Sequence, residues 1–139
     1  MTETFALNPV LAADTVPVGD LTLSQVLLSK DANYPWLILV PKRPGLVEIL
    51  DLSEEEQEQL LGEIRQTASA LKRITACDKL NIAAIGNVVS QLHIHVVARR
   101  QTDAAWPRPV WGTAPPAPYA PDARDQLIAD LRKALPLAP

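Results

Sequence analysis

Apolar and polar residues alternate with a period of two through Gln91-Leu92-His93-Ile94-His95-Val96-Val97. On a strand this spacing sends Leu92, Ile94 and Val96 to one face and Gln91, His93 and His95 to the other. The strand is predicted to run from Val88 to Arg99, with its apolar face on the core and its histidine face at the surface. Trp36 to Val40 is almost continuously apolar between Pro35 and Pro41, the signature of a central strand buried on both faces. Leu21 to Leu28 sets Leu21 and Leu23 between Thr22 and Ser24 and reads as another strand, ended by the turn residues Lys30-Asp31-Ala32-Asn33. These two strands, joined by a short turn, predict an antiparallel hairpin. Lys79 to Ile85 is again strand-like, and Gly86-Asn87 supplies a tight turn or bulge before the histidine strand, so these two should also pair antiparallel.

The period changes to 3.6 between them. Ser53-Glu54-Glu55-Glu56 has capping-box spacing and predicts a helix start. Leu60, Leu61, Ile64, Ala68, Leu71 and Thr75 form its inward stripe, with Glu58, Glu63, Arg65, Gln66 and Lys72 mostly outward. Acidic residues in the first turn suit the helix dipole, so the Glu54–Glu58 run needs no binding role. Phe5 to Ala13 predicts a short lead-in helix, followed by turn residues from Asp14 to Asp20. After Arg100 come Pro107, Pro109, Pro115, Pro116, Pro118 and Pro121, a density that excludes regular structure. Trp106, Trp111 and Tyr119 lie among them and need a surface to cover, so residues 101–121 are expected to wrap the domain or a partner subunit. Pro121-Asp122 opens a last helix over 122–135, with Leu127, Ile128, Leu131 and Leu135 as its stripe. The class is α+β.

The 139 residues suit one domain spanning 1–139, with a core of about residues 20–100. A net charge of -3 offers no broad basic field, which disfavours nucleic acid and anionic lipid as partners. Met1-Thr2-Glu3-Thr4 is acidic where a signal peptide is basic, and no apolar run is long enough to span a bilayer. A cytoplasmic protein is expected, and the single cysteine, Cys77, agrees with a reducing compartment.

Both histidines of the chain stand on the one strand, and imidazole is a nucleophile, a proton carrier and a metal ligand near neutral pH. Gly86-Asn87 beside them can present backbone amides to an anion, so imidazoles and amides together make a phosphate site. A zinc site needs three or four ligands, and only Cys77 and scattered carboxylates remain to complete one, so no metal is assigned. A phosphoesterase with two His-x-Thr/Ser motifs is excluded by count.

Gly86-Asn87-Val88-Val89-Ser90-Gln91-Leu92-His93-Ile94-His95-Val96-Val97 resembles the signature of the histidine triad (HIT) family, His-x-His-x-His followed by two apolar residues. The order strand pair, long helix, strand pair is similar to that family's core, and Leu37-Ile38-Leu39-Val40-Pro41-Lys42 resembles its strand-to-Pro segment. The resemblance implies a mostly antiparallel five-stranded sheet, a homodimer with a continuous larger sheet, and chemistry at a purine nucleoside phosphate without a cofactor. By alignment with the triad, His93 is the nucleophile on the α-phosphorus, giving a nucleotidyl-imidazole that water or another acceptor resolves. His95 would hydrogen-bond the phosphate or leaving group. Asn87, with Gly86, falls at the phosphate contact, and Asp31 or Asn33 at the ribose contact. Three positions depart from the family pattern: Gln91 replaces the first triad histidine, Trp36 stands where many members carry another histidine, and Val88 replaces a Ser/Thr. Gln91 can hydrogen-bond but cannot carry a proton. The expectation is therefore a nucleotidyl hydrolase or transferase, set against a non-catalytic nucleotide-binding or dimeric interaction module. Trp36 is expected to pack in the core rather than stack on a base. Trp111 is carried as a pocket contact, against packing or a dimer contact, and Arg99 as either a phosphate contact or an exposed strand-end charge.

Overall fold

The computed structural model describes residues 3–139, so Met1 and Thr2 of the acidic N-terminus lie outside the described residues. The elements are α1 (Pro9–Asp14), β1 (Thr15–Asp20), β2 (Ser24–Ser29), β3 (Trp36–Pro41), α2 (Glu54–Thr75), β4 (Lys79–Ala83), β5 (Ile94–Arg99) and α3 (Pro121–Ala134), with a 3-10 turn at Ile49–Asp51. The fold is α+β: a five-stranded sheet in the order β1-β2-β3-β5-β4, antiparallel throughout. β3 occupies the middle, as its unbroken apolar run requires, and Leu37, Leu39 and Val40 are fully buried. α2 begins with the capping box, Ser53 Oγ accepting from Glu56 N at 3.1 Å.

Both faces of the sheet are covered. Leu28, Leu37, Leu39, Leu92, Ile94 and Val96 pack with Leu60, Leu71 and Leu131 of α2 and α3 into the main core. Each such side chain contributes about 1.5–3 kcal/mol through removal from water. On the opposite face, Leu27, Ile38 and Val40 meet Leu11 of α1, and Tyr34 and Val97 meet Ala105 and Val110 of the proline-rich segment. That segment folds back over the sheet as a strap, held at its far end by Ala32 N donating to Ala117 O at 2.7 Å and Asn33 Nδ2 to Pro115 O at 2.8 Å. Among the described residues no helix is long and apolar enough to cross a membrane.

Four expectations are corrected. Asp14 to Asp20, read as a turn, is mostly strand β1, and the register shift between Pro17 and Gly19 shows how an edge strand absorbs a proline. The histidine strand starts at Ile94, not Val88; residues 84–93 form a loop. Its histidine row is not a surface, because the strap buries it: every residue from Ile94 to Arg99 is buried. On α2 the inward stripe contains Glu63 rather than Leu61. Leu61 is 64% exposed, whereas the Glu63 carboxylate is buried and accepts Leu23 N at 2.7 Å and Ser24 N at 2.8 Å. Those amides start β2, so a charged group at helical spacing i+3 from Leu60 ties the long helix to the sheet.

Candidate active site

α1, the ends of β2 and β3, the 84–93 loop and the strap enclose a cavity of about 920 Å³ on the strap side of the sheet. His93 and His95 lie in its wall. Their rings meet edge to face with centroids 4.8 Å apart. β5 fixes His95 directly, because it sits in register between Ile38 of β3 and Ala83 of β4. His93 occupies the last loop position before the strand and keeps the same facing.

The two imidazoles carry opposite hydrogen-bond partners. His93 Nδ1 lies 2.6 Å from the main-chain oxygen of Gln91. A carbonyl oxygen only accepts, so Nδ1 holds the proton and, in the neutral ring, Nε2 holds the lone pair. On His95, Nδ1 accepts from the indole Nε1–H of Trp36 at 3.0 Å. An indole nitrogen only donates, so the neutral His95 carries its proton on Nε2. Burial, and secondarily His93, pushes the His95 pKa down to about 4, so the ring is neutral at physiological pH.

Aromatic groups surround this pair. Trp111 stands edge-on to His95 with centroids 4.9 Å apart and to Trp36 at 5.8 Å. Gly86, whose φ of +67° suits glycine, and the exposed Asn87 form the facing rim with Ile85 and Val88. Among the described residues Lys30 contributes the one formal cation of the wall, opposed by Asp14 and Asp31. Among the described residues no three His, Cys, Asp or Glu side chains gather as a metal-binding group.

Of the residues singled out in the sequence, His93, His95, Gly86, Asn87, Asp31 and Trp111 all line this cavity, while Gln91, Asn33 and Arg99 do not. Gln91 Nε2 donates to Ala6 O at 2.9 Å and its Oε1 accepts from Asn8 N at 2.8 Å, so its side chain clamps the N-terminal segment. Asn33 serves the strap. Asp31 does both, since its Oδ1 accepts from Asn33 N at 3.0 Å and Ala117 N at 3.2 Å. Arg99 is neither a phosphate contact nor an exposed charge: it is buried, paired with Asp103 at 2.7 Å, bonded to Asn81 Oδ1 at 2.8 Å and flanked by the rings of Tyr34 and Trp106. Trp36, expected in the core, is half-buried and belongs to the site. Its one sequence signal is the departure at this position from the pattern that the resemblance implies; no sequence signal marks Val10, Leu11 and Asp14 of α1, which also line the wall.

The HIT domain model matches residues 11–102. No curated protein matches the chain. Among solved structures, a histidine triad protein from Bradyrhizobium japonicum is 55% identical, with 95% of this chain and 98% of that one covered and a TM-score of 0.94. One from Marinobacter aquaeolei is 43% identical over 98% and 100% of the two chains, with a TM-score of 0.93. One from Sinorhizobium meliloti is 41% identical over 95% and 98%, at 0.92. With the family model covering most of its length and these relatives nearly all of it, the chain belongs to the histidine triad, or HIT domain, family.

Proposed function

We propose that this protein binds a purine nucleoside phosphate in the cavity and that His93 attacks the α-phosphorus, giving hydrolysis or transfer through a nucleotidyl-histidine intermediate. HIT-domain proteins are generally nucleotide-binding, which supplies the ligand class. The observation that carries the reading is the 2.6 Å contact of His93 Nδ1 with Gln91 O, which leaves the Nε2 lone pair as the free end of a neutral imidazole. That lone pair forms the N–P bond while the bond to the leaving group breaks and its electron pair departs with that group. Water or another acceptor then attacks phosphorus, the N–P pair returns to Nε2, and the acceptor's proton passes to solvent. Nδ1–H bonded to Gln91 O stabilises the imidazolium character of the intermediate. His95 Nε2–H is assigned to a phosphoryl oxygen, Asn87 and the Gly86 main chain to the phosphate, Asp31 to the ribose and Trp111 to the apolar wall. The chain supplies both nucleophile and donor, so no cofactor is called for.

A second reading, nucleotide binding without turnover, is favoured by the engagement of Gln91 at both ends of its amide. Incubation with diadenosine polyphosphates and adenosine phosphoramidates separates the two. Catalysis predicts AMP release that His93→Ala abolishes; AMP binding with no turnover across the panel selects the binding module. We also infer a cytoplasmic homodimer. Among the described residues the outer edge of β4 has no neighbouring strand, and Ile82 on it is 50% exposed, which supports pairing with a second copy, while the free Cys77 suits a reducing compartment.

A further inference from the structure

The Trp36–His95 hydrogen bond fixes more than the orientation of a ring. Trp36 starts β3 and His95 lies on the adjacent β5, so the sheet itself holds indole Nε1–H against imidazole Nδ1 at 3.0 Å. The second proton that would make His95 an imidazolium has to enter at Nδ1, where the indole already donates. Protonation therefore requires that bond to break. His95 packs against Trp36 from β3, Trp111 from the strap, His93 from the loop and Ala83 from β4, and of these four His93 is the one with an ionisable side chain. Asp14 of α1 and Lys30 and Asp31 beyond β2 line the same cavity.

We propose that Trp36 is a positioning residue that holds His95 as a neutral Nε2–H donor, so that the leaving group departs unprotonated and the site prefers phosphoric anhydrides to phosphoramidates. The inference rests on the nucleotidyl-transfer reading above. In the step, the His93 Nε2 pair forms the N–P bond, the P–O bond to the leaving group breaks, and both its electrons leave with oxygen. A phosphate, carboxylate or sulfate is stable as that anion, and no proton has to move. Breaking a P–N bond in the same way would release an amide anion, which needs a proton in the transition state. An imidazolium could give one; a neutral imidazole would have to become imidazolate. His95 thus bonds the phosphoryl oxygens without acting as an acid.

The chain's two histidines give two imidazole spin systems, readable by long-range proton–nitrogen spectra of the full-length protein. Wild type, Trp36→Phe and Trp111→Phe are titrated, and their rates on diadenosine tetraphosphate and adenosine phosphoramidate compared. Wild-type His95 is expected as the Nε2–H tautomer, neutral through the physiological range. In Trp36→Phe it should titrate about one pH unit higher, and the phosphoramidate-to-anhydride rate ratio at about pH 6 should rise about tenfold. Trp111→Phe shrinks an aromatic neighbour without removing a hydrogen bond to the ring, and should leave the tautomer in place. The proposal is overturned by an Nδ1–H tautomer in wild type, by equal titration shifts in both variants, or by wild type cleaving the phosphoramidate as fast as the anhydride. If neither nucleotide turns over, the nucleotidyl-transfer reading fails, and the wild-type spectrum alone decides whether Trp36 locks the tautomer.

Discussion

Replacing Asp103 by Asn keeps the shape of the side chain that holds the near end of the strap but removes the charge facing Arg99. The two side chains are 1% and 6% exposed, and Arg99 donates to both Asp103 oxygens, at 2.7 and 3.1 Å. Leaving one partner of a buried pair without the other costs about 3–5 kcal/mol. Arg99 retains Asn81 Oδ1 at 2.8 Å and the faces of Tyr34 and Trp106 at 5.6 and 5.5 Å, contacts worth about 1 kcal/mol each, so the loss should fall near 3 kcal/mol. Arg99→Met should cost less, about 1–2 kcal/mol, because Asp103 keeps the amides of Arg100, Ala105 and Trp106. Burial raises the Asp103 pKa, but Arg99 and these amides outweigh it and hold the carboxyl at about 2. A carboxylate depressed in the folded state stabilises fully above its unfolded pKa of about 3.9 and progressively less as pH falls toward its folded value. The gap between wild type and Asp103→Asn should therefore be constant from about pH 7 to about pH 5 and narrow toward about pH 2. Urea unfolding followed by tryptophan fluorescence measures it. An Asp103→Asn variant within about 1 kcal/mol of wild type at neutral pH, or one more stable than Arg99→Met, would refute the reasoning.

Glu63→Gln should destabilise by about 2–3 kcal/mol in the same assay, because an amide nitrogen must then face one of the two donating amides, Leu23 N or Ser24 N. His95 gives stability a second acid dependence. Its folded pKa of about 4 lies below the ordinary 6.5, so its contribution is complete above about pH 6.5 and declines toward about pH 4 as the unfolded chain takes up the proton, by about 3 kcal/mol at most. A His95→Asn variant should lose this segment of the pH–stability curve while keeping the Asp103 segment. Light scattering should give twice the chain mass of 15.1 kDa for wild type, and Ile82→Lys on the β4 edge should reduce it to the chain mass.

What could be read from the sequence had local causes. The Ser53–Glu56 cap, the apolar run of β3 and the alternation of His93 and His95 with Leu92 and Ile94 all express backbone geometry within a few residues. The corrections share a different cause, a partner distant in sequence. Glu63 reads as surface because the amides that donate to it lie 39 and 40 residues away. Arg99 reads from the sequence as a phosphate contact or a strand-end charge, and neither reading anticipates Asp103 and Trp106 of the strap. Gln91 looked like part of the site because period-two counting places it in the histidine row, yet the chain there is a loop and the amide is taken by residues more than eighty positions earlier. Pattern identifies which residues share a row; it does not say what will cover that row.

The tautomer of His93 depends on a main-chain carbonyl, and every amino acid brings one. A substitution at position 91 therefore leaves the proton on His93 Nδ1 in place, provided the loop path is kept. In this chain the side chain at that position is a glutamine, and it fastens the N-terminal segment beside the cavity. One residue thus serves two partners at once: the side-chain amide of Gln91 holds the N-terminal segment while its main-chain carbonyl fixes the proton of the His93 ring, so a change of side chain at this position would loosen the first and leave the second where it is.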